Sequence, residues 1–247
     1  ELGHHQGAWA LNCETHDHSL DEEFQVIVDL VSHDILNINQ AVLSAIELIT
    51  ESSGADEKTE RHARRAESQI RISTQIFESM KVLCLTDKIG KIPSELVDLN
   101  EAVKKAISDS TDMFPDRRVR VELEESGDKA VVAGGIIVHE ALTNAIVGII
   151  RLDTSEQASM KVRVSGEDVH GARHWVVRLS DENVAVPSKL GFKTIGEVST
   201  DSRTRMGRMA GLIMARVMAE KLGGAFETEQ TAKGSVFKVM FAGVDRA

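Results

Sequence analysis

Phe24-Gln25-Val26-Ile27-Val28-Asp29-Leu30-Val31-Ser32-His33-Asp34-Ile35-Leu36-Asn37-Ile38-Asn39-Gln40-Ala41-Val42-Leu43-Ser44-Ala45-Ile46-Glu47-Leu48-Ile49 is the stretch that decides the fold. Phe24, Val28, Val31, Ile35, Ile38, Val42, Ala45 and Ile49 alternate by four and three residues. This heptad stripe predicts a long amphipathic helix. Upstream, Ser19-Leu20-Asp21-Glu22 has the form of a capping box. Gly54 closes the helix, and Ala55–Glu57 open a second one, in which Ala63, Ala66, Ile70, Ser73, Phe77, Met80 and Cys84 repeat the spacing with smaller side chains. The pair reads as an antiparallel hairpin. Further apolar residues lie beside each stripe: Leu30, Leu36, Leu43 and Leu48 on the first helix, Ile72, Ile76 and Leu83 on the second. A lone hairpin cannot bury both faces, so two chains are expected to form a dimeric four-helix bundle.

Gly90 and Pro93 end the second helix, and the texture then changes. Arg118–Glu124 alternates as a strand does, with Val119, Val121 and Leu123 on one face. Ile136–Ile150 reads as a helix, and Met160–Val164 and Trp175–Leu179 read as strands. Gly211–Leu222 is a helix ending at Gly223-Gly224, and Val236–Phe241 is a last strand. The expected class is α+β, a helical hairpin followed by an α/β sandwich. The expected divisions are a flexible leader over 1–18, the hairpin over 19–92 and the sandwich over 93–247.

The chain has 247 residues, 42% of them hydrophobic, which suits two modest domains at about 100–150 residues each. No apolar run approaches the roughly 20 residues of a membrane span, so no membrane contact is expected of this segment. The chain begins at Glu1 without a signal-peptide pattern and is read as part of a longer protein. Any sensor or membrane anchor would lie upstream. The formal charge of −10 argues against nucleic acid, which needs a clustered basic surface. The nearest approach to one, Arg203, Arg205 and Arg208, could serve a nucleotide instead. Cys13 and Cys84 suggest no metal spacing or disulfide framework, which fits a cytoplasmic, reducing compartment. His4, His5, His16 and His18 are irregularly spaced and read as leader rather than as metal ligands.

With Val31 and Ile35 toward the bundle core, His33 falls on the outward face. A neutral imidazole nitrogen is nucleophilic near pH 7, and an adjacent carboxylate such as Asp34 can hold its tautomer and accept a proton. An ordinary surface histidine would satisfy position alone. The surrounding Val31-Ser32-His33-Asp34-Ile35-Leu36-Asn37-Ile38-Asn39-Gln40, however, resembles the H-box of two-component sensor histidine kinases, in the form common among archaeal, methanogen-type members. The resemblance implies that His33 is autophosphorylated and that Asp34 assists.

The second half resembles the same family independently. Val138-His139-Glu140-Ala141-Leu142-Thr143-Asn144-Ala145 resembles its N-box, with Glu140 and Asn144 one helical turn apart. Oxygen ligands on such a face suit Mg²⁺ bridging nucleotide phosphates. Leu179-Ser180-Asp181-Glu182-Asn183-Val184-Ala185 stands where the family has Asp-x-Gly-x-Gly, which implies that Asp181 accepts from the adenine amino group; Asn183 and Ala185 replace the glycines. Gly207-Arg208-Met209-Ala210-Gly211-Leu212 resembles the phosphate-side glycine box, with Met209 in place of the middle glycine. Glycines there let a backbone approach phosphates, and a following helix offers them free amides. Lys233-Gly234-Ser235-Val236-Phe237 resembles the closing Gly-Ser-x-Phe motif, with Ser235 near the adenine end.

The order and spacing of these motifs, from about Asp21 to Phe241, imply a GHKL-type ATP-binding domain behind a phosphoacceptor hairpin. The implied activity is ATP- and Mg²⁺-dependent autophosphorylation of His33, then transfer to the aspartate of a response-regulator receiver domain. Glu140 would act in catalysis and with Asn144 at the metal, and Asp181, Gly207, Gly211 and Ser235 would bind the nucleotide. Family members carry a basic or aromatic residue after the N-box Asn-Ala, where this chain has Val147 and Gly148; Arg151 lies one turn on. Three glycines are missing. The alternative is a non-catalytic histidine phosphotransfer protein or pseudokinase scaffold with a degenerate ATP fold. An ATPase of the same fold without histidine chemistry would not need the heptad hairpin.

Overall fold

The computed structural model describes residues 31, 33–51, 56–89, 93–169, 172–185 and 200–244. The expected leader, the Ser19 capping box, Phe24, Val28, Leu30, Gly54 and Gly90 lie outside these residues. The fold is α+β: a helical hairpin, then a mixed sheet layered against helices. Helix α1 (33–51) and helix α2 (Glu57–Ile89) form the hairpin. Strand β1 (Leu96–Asp98), helix α3 (Leu99–Asp112), strands β2 (Arg118–Glu124) and β3 (Val131–Ala133), and helix α4 (Ile136–Leu152) follow. Then come strands β4 (Gln157–Val169) and β5 (Ala172–Asp181), helix α5 (Thr200–Lys221), and strands β6 (Ala225–Thr231) and β7 (Gly234–Ala242).

The two hairpin helices meet differently from the expected stripe. Asn39 and Ile46 are buried on α1, with Leu36 and Leu43 half-buried beside them, and Asn39 donates to the hydroxyls of Ser73 and Thr74 at 3.2 Å each. Val31, Ile38, Val42 and Ile49, all on the heptad stripe, are exposed, with Ile38 at 60%. Ser73 and Thr74 of α2 accept the asparagine, and the buried row on α1 runs through Leu36, Asn39, Leu43 and Ile46 rather than along the heptad stripe. The exposed aliphatic row is left as a continuous apolar stripe, which single chains rarely leave in water.

The main sheet has the order β2-β4-β5-β7-β6, with β2 parallel to β4 and the other pairs antiparallel. β1 and β3 form a separate antiparallel pair. Alternation places Leu179 and Val177 of β5, and Phe237, Val239 and Phe241 of β7, on the buried face. Leu142, Ile146, Ile149 and Ile150 of α4 share that core. Helix α4 is buried almost all round, from Ile137 to Ile150. A helix apolar on every side needs cover on every side. The sheet, α3 and α5 supply most of it, and α2 packs against α4 and α5 through Ile72, Ile76 and Leu83.

The start of α3 is set by Asp98, whose carboxylate accepts from the amides of Asn100 and Glu101. Asp98→Ala is expected to lower stability by about 1 kcal/mol, the usual worth of such a cap, as read by urea denaturation. Helix α5 begins at Thr200, eleven residues before the expected Gly211, so the Gly207–Leu212 box lies inside a helix rather than at its head. β4 and β5 run several residues past their expected ends, as a long hairpin.

Candidate functional site

His33 lies on α1 with its side chain 73% exposed, beside an Asp34 side chain at 79%. Its Nδ1 is 3.5 Å from Asp34 Oδ1 and 3.2 Å from the Asn37 amide one turn on. The Asn37 contact is through Nδ2, a donor, which suits an unprotonated Nδ1. When Nδ1 instead carries the proton toward Asp34 Oδ1, Nε2 presents its lone pair to solvent. That is the state a phosphoryl acceptor needs. Among the described residues, no hydrogen bond or ion pair joins this group to the α/β layer.

Glu140 and Asn144 occupy one face of α4, and that face meets α2. Glu140 Oε2 accepts from Gln75 Nε2 and Ser79 Oγ, both at 2.7 Å. Asn144 Nδ2 donates to Ser79 Oγ at 2.6 Å and to the Glu140 carbonyl at 2.9 Å. All four residues are buried, Ser79 completely. Two oxygen donors one turn apart fit a magnesium ion that takes its remaining ligands from phosphates and water. In this conformation the same carboxylate is committed to the hairpin. Neither Gln75 nor Ser79 figured among the expected site residues. Their signal was present: two polar residues four apart, flanked by Ile72, Ile76 and Leu83 on an apolar face.

Asp181 is the last residue of β5 and follows Val177 and Leu179 onto the buried face. Ser235 is its cross-strand partner on β7, and the Ser235 hydroxyl donates to the Val184 carbonyl. Asp181 accepts from the Asn183 amide at 2.8 Å. Burial pushes its carboxyl up to about 6, and the nearby Asp153 adds to the effect. Asp153, the C-cap of α4, is gripped by Ser155 through its amide and hydroxyl, both at 2.6 Å, and by Arg117 at 3.2 Å. Arg117 also donates to the carbonyls of Ile150, Asp153 and Ser155, tying the end of α4 to β2. Sequence reading missed both residues, because nothing local marks an arginine that satisfies a helix end thirty-three residues away.

The glycine box packs against α4. A Cβ at Gly211 would lie 2.6 Å from the Asn144 carbonyl and 3.3 Å from Gly148 Cα; one at Gly148 would meet Leu212 at 2.8 Å. The two glycines let α4 and α5 touch backbone to backbone, which gives Gly148 a packing role where a larger N-box residue was expected. Met209 is 1% exposed, within the core. Gly207 lies in the same helix, where its amide belongs to the helical ladder. Arg151, at the end of α4, has a buried Nη1 with no partner among the described residues; burial, and then Arg208, lower its pKa from the ordinary value. Of the expected residues, the structure brings together Glu140 with Asn144, Asp181 with Ser235, and Gly211 with the Asn144 backbone.

Among the described residues, no helix is long and apolar enough to cross a membrane. The sequence matches no family profile and no curated protein. Among solved structures it is similar to the Acinetobacter baumannii histidine kinase AdeS, at 17% identity and a TM-score of 0.49 over 84% of this chain and 94% of that one. It is also similar to the mycobacterial sensor histidine kinase MprB, at 16% identity and a TM-score of 0.46 over 61% of this chain and 97% of that one.

Proposed function

We propose that this chain is the catalytic core of a two-component sensor histidine kinase. The observation that carries the reading is the solvent-facing His33, flanked by Asp34 and Asn37, in a chain that also holds Glu140 with Asn144 on one helix and Asp181 at a strand end. The lone pair of His33 Nε2 attacks the γ-phosphorus of ATP, the bond to the bridging oxygen breaks, and ADP leaves. Asp34 is placed to accept the ring proton. Asp181 and Ser235 would take the base end, Gly207 and Gly211 would serve the phosphates, and Glu140 and Asn144 would hold Mg²⁺. When bound, that ion would neutralise phosphate charge, and positioning would supply most of the rest. The phosphoryl group then passes to a receiver-domain aspartate.

In this reading residues 19–92 form the dimerisation hairpin, 93–247 the ATP-binding domain and 1–18 the leader. The exposed stripe Val31, Ile38, Val42 and Ile49 supports a homodimer, since a second copy would bury it. The same reading places this segment in the cytoplasm, with any sensor or anchor upstream.

A second reading, a histidine phosphotransfer protein or pseudokinase scaffold, is favoured by Met209 within the core and by the commitment of Glu140 to α2. Incubation with γ-labelled ATP and Mg²⁺ separates the two. The kinase reading expects acid-labile, alkali-stable label on the chain and its complete loss in His33→Gln. An unlabelled but intact dimer points to the phosphotransfer reading. Label that persists in His33→Gln ends the assignment of His33.

A further inference from the structure

We propose that Arg151 and Arg208 together form a binding site for a phosphate group at one end of the α4–α5 pair. The inference deepens the kinase reading and rests on it for the source of that phosphate, a nucleotide.

The placement follows from how the two helices pack. A Cβ at Gly134, two residues before α4, would lie 2.8 Å from the side chain of Leu222, which follows the last residue of α5. Toward the other end of the pair, a Cβ at Gly148 would lie 2.9 Å from the Leu212 amide nitrogen, and one at Gly211 would lie 3.3 Å from Gly148 Cα. The helices therefore run antiparallel. Arg151 stands three residues after Gly148, and Arg208 three residues before Gly211. Each lies about 4.5 Å beyond the glycine contact, in the same direction along the pair. Residues three apart are neighbours on a helix surface, so both arginines border the seam between α4 and α5. Arg151 also falls on the face of α4 that bears Glu140 and Asn144, because the seven residues from Asn144 make almost two turns.

Among the described residues, nothing uses these two charges. Arg151 is half-buried, its Nη1 is buried without a partner, and neither arginine has an ion pair. The nearest acid in the chain, Asp153, is held by Ser155 and Arg117. An arginine in the last turn of a helix commonly serves the final carbonyls. Here Arg117 takes those of Ile150 and Asp153, so Arg151 is not needed as a cap. Burial, and then the charge of Arg208, disfavour the Arg151 cation. The fold thus keeps two like charges side by side, one of them half-buried, at a cost to its own stability. A phosphate group is doubly charged and accepts from two guanidinium forks at once, which matches the pair. A single carboxylate would leave one of the two charges unmatched.

Urea denaturation and calorimetry of the intact chain, without Mg²⁺, test this with Arg151→Met and Arg208→Met. Sodium pyrophosphate is expected to raise the urea midpoint of the unsubstituted protein beyond the effect of sodium chloride at equal ionic strength, and to lose that effect in both variants. ADP affinity is expected to fall about thirtyfold in Arg151→Met and about fivefold in Arg208→Met, whose charge is exposed. Without ligand, Arg151→Met is expected to show a higher urea midpoint than the unsubstituted protein, because an unpaired, half-buried charge is gone. A lower midpoint there would mark Arg151 as structural and overturn the site. A pyrophosphate effect missing from the unsubstituted protein overturns the site without recourse to any variant. ADP bound equally by all three proteins also overturns it, and leaves the kinase reading intact. A pyrophosphate effect that needs both arginines, without any binding of ADP, upholds the site for free phosphate and overturns the nucleotide as its source.

Discussion

Gln75→Leu combined with Ser79→Val is expected to raise ADP affinity about thirtyfold in the presence of Mg²⁺. The two side chains donate to one carboxylate oxygen of Glu140, and Ser79 also accepts from Asn144. Those bonds hold Glu140 Oε2 and Asn144 Nδ2 against α2, so the face of α4 that would hold a metal bridging phosphates is covered. Removing both donors leaves the Glu140 charge buried and unpaired in the docked arrangement, a loss of about 3–5 kcal/mol. In the undocked arrangement the carboxylate is hydrated and loses nothing. The introduced Leu and Val side chains gain apolar burial in the docked form, so the net shift is smaller, about 2 kcal/mol. At 1.4 kcal/mol per factor of ten, this corresponds to about thirtyfold, provided that nucleotide binds the undocked form alone. Isothermal titration gives the affinity, and limited proteolysis between α2 and β1 reports undocking. Released α2 with unchanged ADP affinity would show that Glu140 and Asn144 do not serve the nucleotide. Ser79→Ala alone removes one donor and is expected to move affinity only a few-fold, in the same direction.

Met209→Gly, which puts a glycine where the kinase glycine box that this stretch resembles has one, is expected to destabilise the protein by about 4 kcal/mol. A motif-based view expects the opposite, a repaired phosphate loop. Met209 is 1% exposed in α5, two residues before Gly211, which with Gly148 brings α5 against α4. Deleting a buried methionine side chain leaves a cavity that typically costs about 2–5 kcal/mol, and glycine within a helix adds about 1 kcal/mol. Urea denaturation of the two proteins measures the difference through a shift in midpoint at constant slope. A stability change below about 1 kcal/mol would show that the Met209 side chain does not belong to the core. Paired with ADP titration, the same variant separates the two meanings of a glycine at this position: backbone approach to phosphate, or helix packing.

How much of the molecule could be read beforehand depended on how local its cause was. β2 falls where alternation placed it, over Arg118–Glu124, because one face is half-buried and the other exposed. α4 ends two residues beyond its expected end because Arg117 collects the carbonyls there, a partner no local pattern reveals. β6 went unread because Glu227 and Glu229 face outward on an edge strand with few apolar residues to alternate with. α3 went unread because, after Leu99 at its start, the buried positions it offers, Ala102, Val103, Ala106 and Ser110, are small or isolated among lysines and polar residues. The candidate site divides in the same way. His33 with Asp34, and Glu140 with Asn144, are neighbours along single helices, and their adjacency follows from helical geometry. Gln75 and Ser79 meet Glu140 across more than sixty residues, and Ser235 meets Asp181 across the β5–β7 pair.

The sequence by itself determined the two long helices, the central apolar helix α4 and the strand segments that follow it, because periods of 3.6 and 2 record which face of each element is buried. It also determined which polar residues share a helix face. Only the tertiary structure decided which apolar stripe of α1 would meet α2 and which would stay exposed. It alone placed the glycine box within α5 against α4 and closed α2 over Glu140 and Asn144. These outcomes depend on how well two surfaces fit, glycine against glycine and amide against carboxylate. Such complementarity exists only once elements distant in the chain are brought together.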